Sequence, residues 1–109
     1  MMRMLITTQD TVEEYQITET LGLVYGNTIR SRHVGNDILA GLKSLVGGEI
    51  SEYTKMMAES REQAIDRMVK QARVLGADAI VGMRFTTAAV MQGSAEILAF
   101  GTAVRIAKK

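Results

Sequence analysis

The sequence predicts a two-layer α+β domain in the order strand, helix, helix, strand, strand, with an antiparallel sheet that further copies of the chain complete. Three observations predict it. Apolar residues alternate with period two toward both ends of the chain and recur every three or four residues in the middle. Glycines close both central runs. The last strand is apolar on both of its faces, which is more than one layer of helices covers. At 109 residues the chain is the length of a single domain, spanning 1–109.

The first main strand is read over Gln16–Ile29. Its odd positions, from Tyr15 through Ile17, Glu19, Leu21 and Leu23 to Tyr25, form one face, and its even positions form the other. Gly22 and Gly26 mark bends or a close backbone approach. A short strand at Met4–Thr7 adds an edge. A short helix follows at Asp37–Val46, where Ile38, Leu39, Leu42, Leu45 and Val46 make one apolar stripe and Gly47-Gly48 stops it. A longer helix spans Ser51–Leu75. Ser51 is its expected N-cap, and Tyr53, Met57, Ala64, Ile65, Met68, Ala72 and Leu75 form its apolar face. Gly76 is its expected C-terminal stop. Strands at Ala79–Met91 and Glu96–Ile106 end the chain, joined by a hairpin turn at Gln92-Gly93-Ser94.

The final strand carries the argument for assembly. One face holds Leu98, Phe100, Thr102, Val104 and Ile106, and the other holds Ile97, Ala99, Gly101 and Ala103. Neither face is a wetted one. The face of small residues lets another backbone or helix approach closely. A second copy is the simplest cover, since most oligomers of this kind are built from one chain. The alternative is that the N-terminal strand and the first helix fold over the second face.

Composition narrows the function classes. There are 13 basic and 12 acidic residues, a net charge of +1, with the signs mixed along the chain. That balance carries no electrostatic signature for nucleic acid or an anionic membrane. No apolar run reaches the length of a membrane span. The expected location is cytoplasmic, in keeping with the absence of cysteine.

Heavy-metal sites use thiolate, thioether or imidazole ligands. The chain has no cysteine and one histidine. His33 and Asp37, with Glu49 near them, are the metal-ligand candidates, and a ring would gather several copies of His33 about its axis. The competing reading makes His33 a solvated loop residue. Met57, Met68, Met83 and Met91 fall on core faces and read as packing. Glu19 is unusual, a carboxylate on the apolar side of its strand. Pairing with Arg84 or Arg105 would explain it, and so would a bulge that turns it outward. Tyr53 is a candidate for lining a pocket between subunits. No nucleophile, base and orienting residue stand at recognisable spacing.

The run Asp37-Ile38-Leu39-Ala40-Gly41-Leu42-Lys43-Ser44-Leu45-Val46-Gly47-Gly48-Glu49 with Tyr53 resembles the YbjQ-like family. So do Leu75-Gly76-Ala77-Asp78-Ala79-Ile80-Val81-Gly82, the closing Gly101-Thr102-Ala103-Val104 and the opening Leu5-Ile6-Thr7-Thr8. Two positions depart from the family pattern: Asp78 stands where Asn is common, and Glu14 where Gly is common. The resemblance implies a dodecin-like unit assembled into a ring-shaped pentamer, and it carries a heavy-metal-binding label. Together these readings predict a non-catalytic homo-oligomeric binding or scaffold module with no cofactor. The alternatives are a metal-binding ring using His and carboxylate ligands, and an enzyme with its site between subunits.

Overall fold

A computed structural model describes residues 3–31, 49–91 and 94–109. Strands β1 (Leu5–Ile6), β2 (Tyr15–Ser31), β3 (Ala79–Met91) and β4 (Ser94–Lys108) form one sheet in the order β1-β3-β4-β2. Helix α1 (Glu49–Val74) lies across one face of it. The short helix read over Asp37–Val46 falls outside the described residues. The α+β class holds, with one correction: β1 pairs parallel to β3, so the sheet is mixed rather than wholly antiparallel. The remaining ladders, β2 with β4 and β3 with β4, are antiparallel.

The helix seats on small residues. Ser60, Ala64, Met68 and Ala72 stand four apart on one stripe of α1, and all are fully buried. They face Val24 of β2, Ile80 and Met83 of β3, and Ile97, Ala99 and Ala103 of β4. Gly26 of β2 is the point of closest approach. A Cβ there would lie 2.2 Å from the Ala64 carbonyl oxygen, so only glycine admits the helix backbone. The face of Ile97, Ala99, Gly101 and Ala103, read as open to another copy, is therefore covered by the chain's own helix.

The helix ends differ slightly from their expected positions. It begins at Glu49, two residues ahead of Ser51, which stands inside it rather than capping it. At the other end Gly76 has φ 79°. The Ala77 N–H reaches back to the Ala72 carbonyl at 3.0 Å and the Gly76 N–H to the Arg73 carbonyl at 3.0 Å, which is a left-handed glycine closure. Because the helix stops at Val74, Leu75 leaves the apolar stripe and is exposed.

Two bulges re-aim β2. The register slips once between Ile17 and Glu19 and again between Thr20 and Gly22, each slip inserting one unpaired residue. The first moves Glu19 off the face that Ile17 shares with Ile106, and the second returns Leu23 to that face. The bulge offered as one explanation of Glu19 is thus present, and the bend expected at Gly22 coincides with the second slip.

Candidate functional site

Helix α1 packs on one face of the sheet, and the opposite face is the candidate surface. Its lower end is closed by the segment before β2, where Val12 packs against Ala79, Val81, Val104 and Ile106. Arg84 helps hold that segment, donating to the Thr8 carbonyl at 2.7 Å. The Gly82 N–H donates to the Gln9 carbonyl at 2.8 Å and the Met83 N–H to the Thr7 carbonyl at 3.0 Å.

Above Val12 the face is apolar, and no described element lies over it. Cross-strand pairing sets Leu23 beside Thr102, Tyr25 beside Phe100, Asn27 beside Leu98 and Ile29 beside Glu96. Directly opposed residues share a face, so these eight lie together. Leu23, Tyr25 and Ile29 are 67%, 48% and 56% exposed, high values for large apolar side chains in one strand. Leu23, Tyr25, Asn27, Glu96, Leu98 and Phe100 line a shallow depression of about 410 Å³. Its polar content is one pair: Asn27 Nδ2 donates to Glu96 Oε2 at 2.9 Å. That bond satisfies one oxygen of the carboxylate from within the chain. The surface suits contact with an apolar surface or a flat apolar ligand.

The sequence-derived candidates are placed as follows. Glu19 lies near Arg105, with Oε1 3.7 Å from Nε and both side chains about half exposed. Of the two partners considered, Arg105 is the one beside it, while Arg84 is engaged with the Thr8 and Met83 carbonyls. Glu19 is thus a surface carboxylate at the end of the sheet, away from the open face. His33 and Asp37 lie outside the described residues. Glu49 and Tyr53 stand in the first two turns of α1. Among the described residues no three His, Cys, Asp or Glu side chains are grouped so as to hold a metal ion. Among the described residues no helix is long and apolar enough to cross a membrane.

Sequence reasoning identified both apolar faces of β4 but chose the wrong one as open. The deciding signal lies in the pairing between strands rather than within either one. Gly26 pairs with Ala99, and Gly22 with Ala103, so glycines and alanines lie side by side across two strands. Such a patch is the seat of the nearest helix, and the large residues on the reverse are left uncovered.

Comparison with known proteins bears on the same fold. A family model described as "Putative heavy-metal-binding", YbjQ, matches residues 4–107. A UPF0145 protein of Archaeoglobus fulgidus is 58% identical over 102 residues, covering 94% of each chain. One from Vibrio parahaemolyticus is 58% identical over 103 residues, covering 94% of this chain and 98% of the relative. A UPF0145 protein of Thermus thermophilus is 54% identical over 105 residues, covering 96% and 92%. Among solved structures, a DUF74-family protein of unknown function from Pediococcus pentosaceus superposes with TM-score 0.66 at 20% identity, over 95% of this chain and 98% of that one.

Proposed function

The chain belongs to the YbjQ (UPF0145) family, and from that premise we propose that it is a non-catalytic module that completes its core with copies of itself. The observation that carries the reading is the row Leu23, Tyr25 and Ile29, exposed on a sheet face shared with Leu98 and Phe100. The occupant we assign to this face is a second copy of the chain. The face is apolar and its carboxylate is already hydrogen-bonded to Asn27, so it asks for no charged partner. An apolar surface of this sort meets its own kind without stranding a charge.

The shape of the molecule supports the same reading. Its radius of gyration is 17.5 Å and its extents are 56 × 24 × 23 Å. A compact domain of about 100 residues has a radius near 13 Å. An elongated body of this size leaves more of its apolar surface in water, and association removes it. We infer a closed ring of five with a scaffold or ligand-binding role, the assembly that the family resemblance implies.

Native mass spectrometry and sedimentation at micromolar concentration test this. One species of five subunits is expected, and Leu23→Asp should shift it toward smaller species. A stable wild-type monomer removes the reading.

A second reading follows from the family description: a metal held by His33, Asp37 and Glu49 from several subunits. Metal analysis of untagged protein decides it. Near-stoichiometric metal lost on His33→Ala supports a metal ring, and metal-free protein excludes one.

A further inference from the structure

Among the described strands β2 stands at an edge of the sheet, and its 17 residues are long enough to invite pairing with another chain. Its first half is interrupted by the two bulges, which break the regular row of main-chain groups. Its second half is regular, and there α1 intervenes. The Tyr25 N–H donates to Gln71 Oε1 at 3.0 Å. Arg67 Nη1 donates to the Asn27 carbonyl. In an antiparallel strand, residues two apart point their main-chain groups the same way. Tyr25 and Asn27 therefore present theirs to the same side, and helix side chains engage one group of each, the Tyr25 N–H and the Asn27 carbonyl.

The spacing explains why two helix residues serve. Arg67 and Gln71 are one helical step of four apart, about 6 Å of rise. Tyr25 and Asn27 are two strand residues apart, about 6.8 Å. The two repeats match, and Gly26 between them brings the helix backbone close enough for both side chains to reach round the edge. One residue supplies an acceptor to a main-chain donor and the other a donor to a main-chain acceptor, as a neighbouring strand would.

We propose that Arg67 and Gln71 are a guard on the free edge of β2, standing in for a strand and closing this edge to strand addition by a second copy of the chain. The inference does not depend on how many copies the wild-type protein assembles, because it is read against the wild-type mass.

The test is the double variant Arg67→Met/Gln71→Leu, which keeps bulk and helix propensity but removes both bonds. At low concentration the Tyr25 amide should exchange with solvent about tenfold faster than in wild type. At higher concentration species heavier than the wild-type assembly should appear, with the infrared signature of intermolecular strands. Arg67→Lys/Gln71→Glu, which keeps a donor and an acceptor, should remain at the wild-type mass. An unchanged mass distribution in the Met/Leu variant overturns the guard. Faster exchange without heavier species overturns it as well, since the bonds would then serve only the fold. If the double variant loses its helical circular dichroism, the single variants Arg67→Met and Gln71→Leu carry the same measurements and are judged by the same outcomes.

Discussion

Glu14 sits at φ 69°, a left-handed conformation that costs a side-chain-bearing residue about 1–2 kcal/mol. Its carbonyl accepts from the Lys109 N–H at 3.0 Å, so the strained turn also ties down the end of β4. This is the position where the family resemblance places glycine. Glu14→Gly should raise stability by about 0.5–1 kcal/mol, after the extra flexibility glycine gives the unfolded chain. Urea denaturation reads it. Asp78, the other departure, bridges the exit of α1 and β4. Its N–H donates to the Val104 carbonyl at 2.9 Å, and its Oδ2 accepts from the Ile106 N–H at 3.0 Å. Asp78→Ala should cost about 1–2 kcal/mol by leaving that amide without its acceptor. Asp78→Asn keeps an acceptor oxygen and should stay within about 0.5 kcal/mol of wild type. The same denaturation series separates the two.

The seating of α1 on β2 depends on one missing Cβ. Gly26→Ala would press a methyl group onto backbone atoms of Ala64 and Met68, which a side-chain rotation cannot relieve. A loss of about 3 kcal/mol is expected, visible as a lowered Tm with helical circular dichroism lost first. Much of this element structure was legible. The β3 bounds are those expected, and β2, α1 and β4 differ by a few residues at their ends. A bulge at Glu19 was legible as one of two explanations for its position, and Gly22 as a bend, but that Thr18 and Leu21 are the extra residues shows only in the register against β4. Glu19 read as a carboxylate needing either a partner or a bulge, and it has both a bulge before it and Arg105 beside it. The open face was legible as one of two options. The choice between them needed the pairing of Gly26 with Ala99, which no period within one strand contains.

For the molecule as a whole, the proposed completion of the core by other copies would tie stability to concentration. The folded assembly is favoured by mass action, so the midpoint of thermal unfolding should rise as protein concentration rises. Scanning calorimetry over a hundredfold dilution checks this. A concentration-independent midpoint would mark a self-sufficient monomer. The metal candidates were the least legible part of the chain. One histidine and scattered carboxylates have no fixed spacing of their own, and only a fold that gathers them gives such residues meaning.

The ladder between β2 and β4 has a consequence for the order in which the protein forms. Tyr15 pairs with Lys108, nearly the full chain length away, whereas β3 and β4 are close in sequence, with Met91 beside Ser94. Closing a long loop is entropically late. The hairpin and the helix are thus placed to assemble early, and β2 to arrive last and slide into a register already fixed by its partners. During that interval β4 stands with one side unoccupied, and a strand from a neighbouring chain has the same chemistry to offer as the chain's own. Slow docking of β2 is therefore the moment at which this protein is most exposed to exchanging strands between molecules.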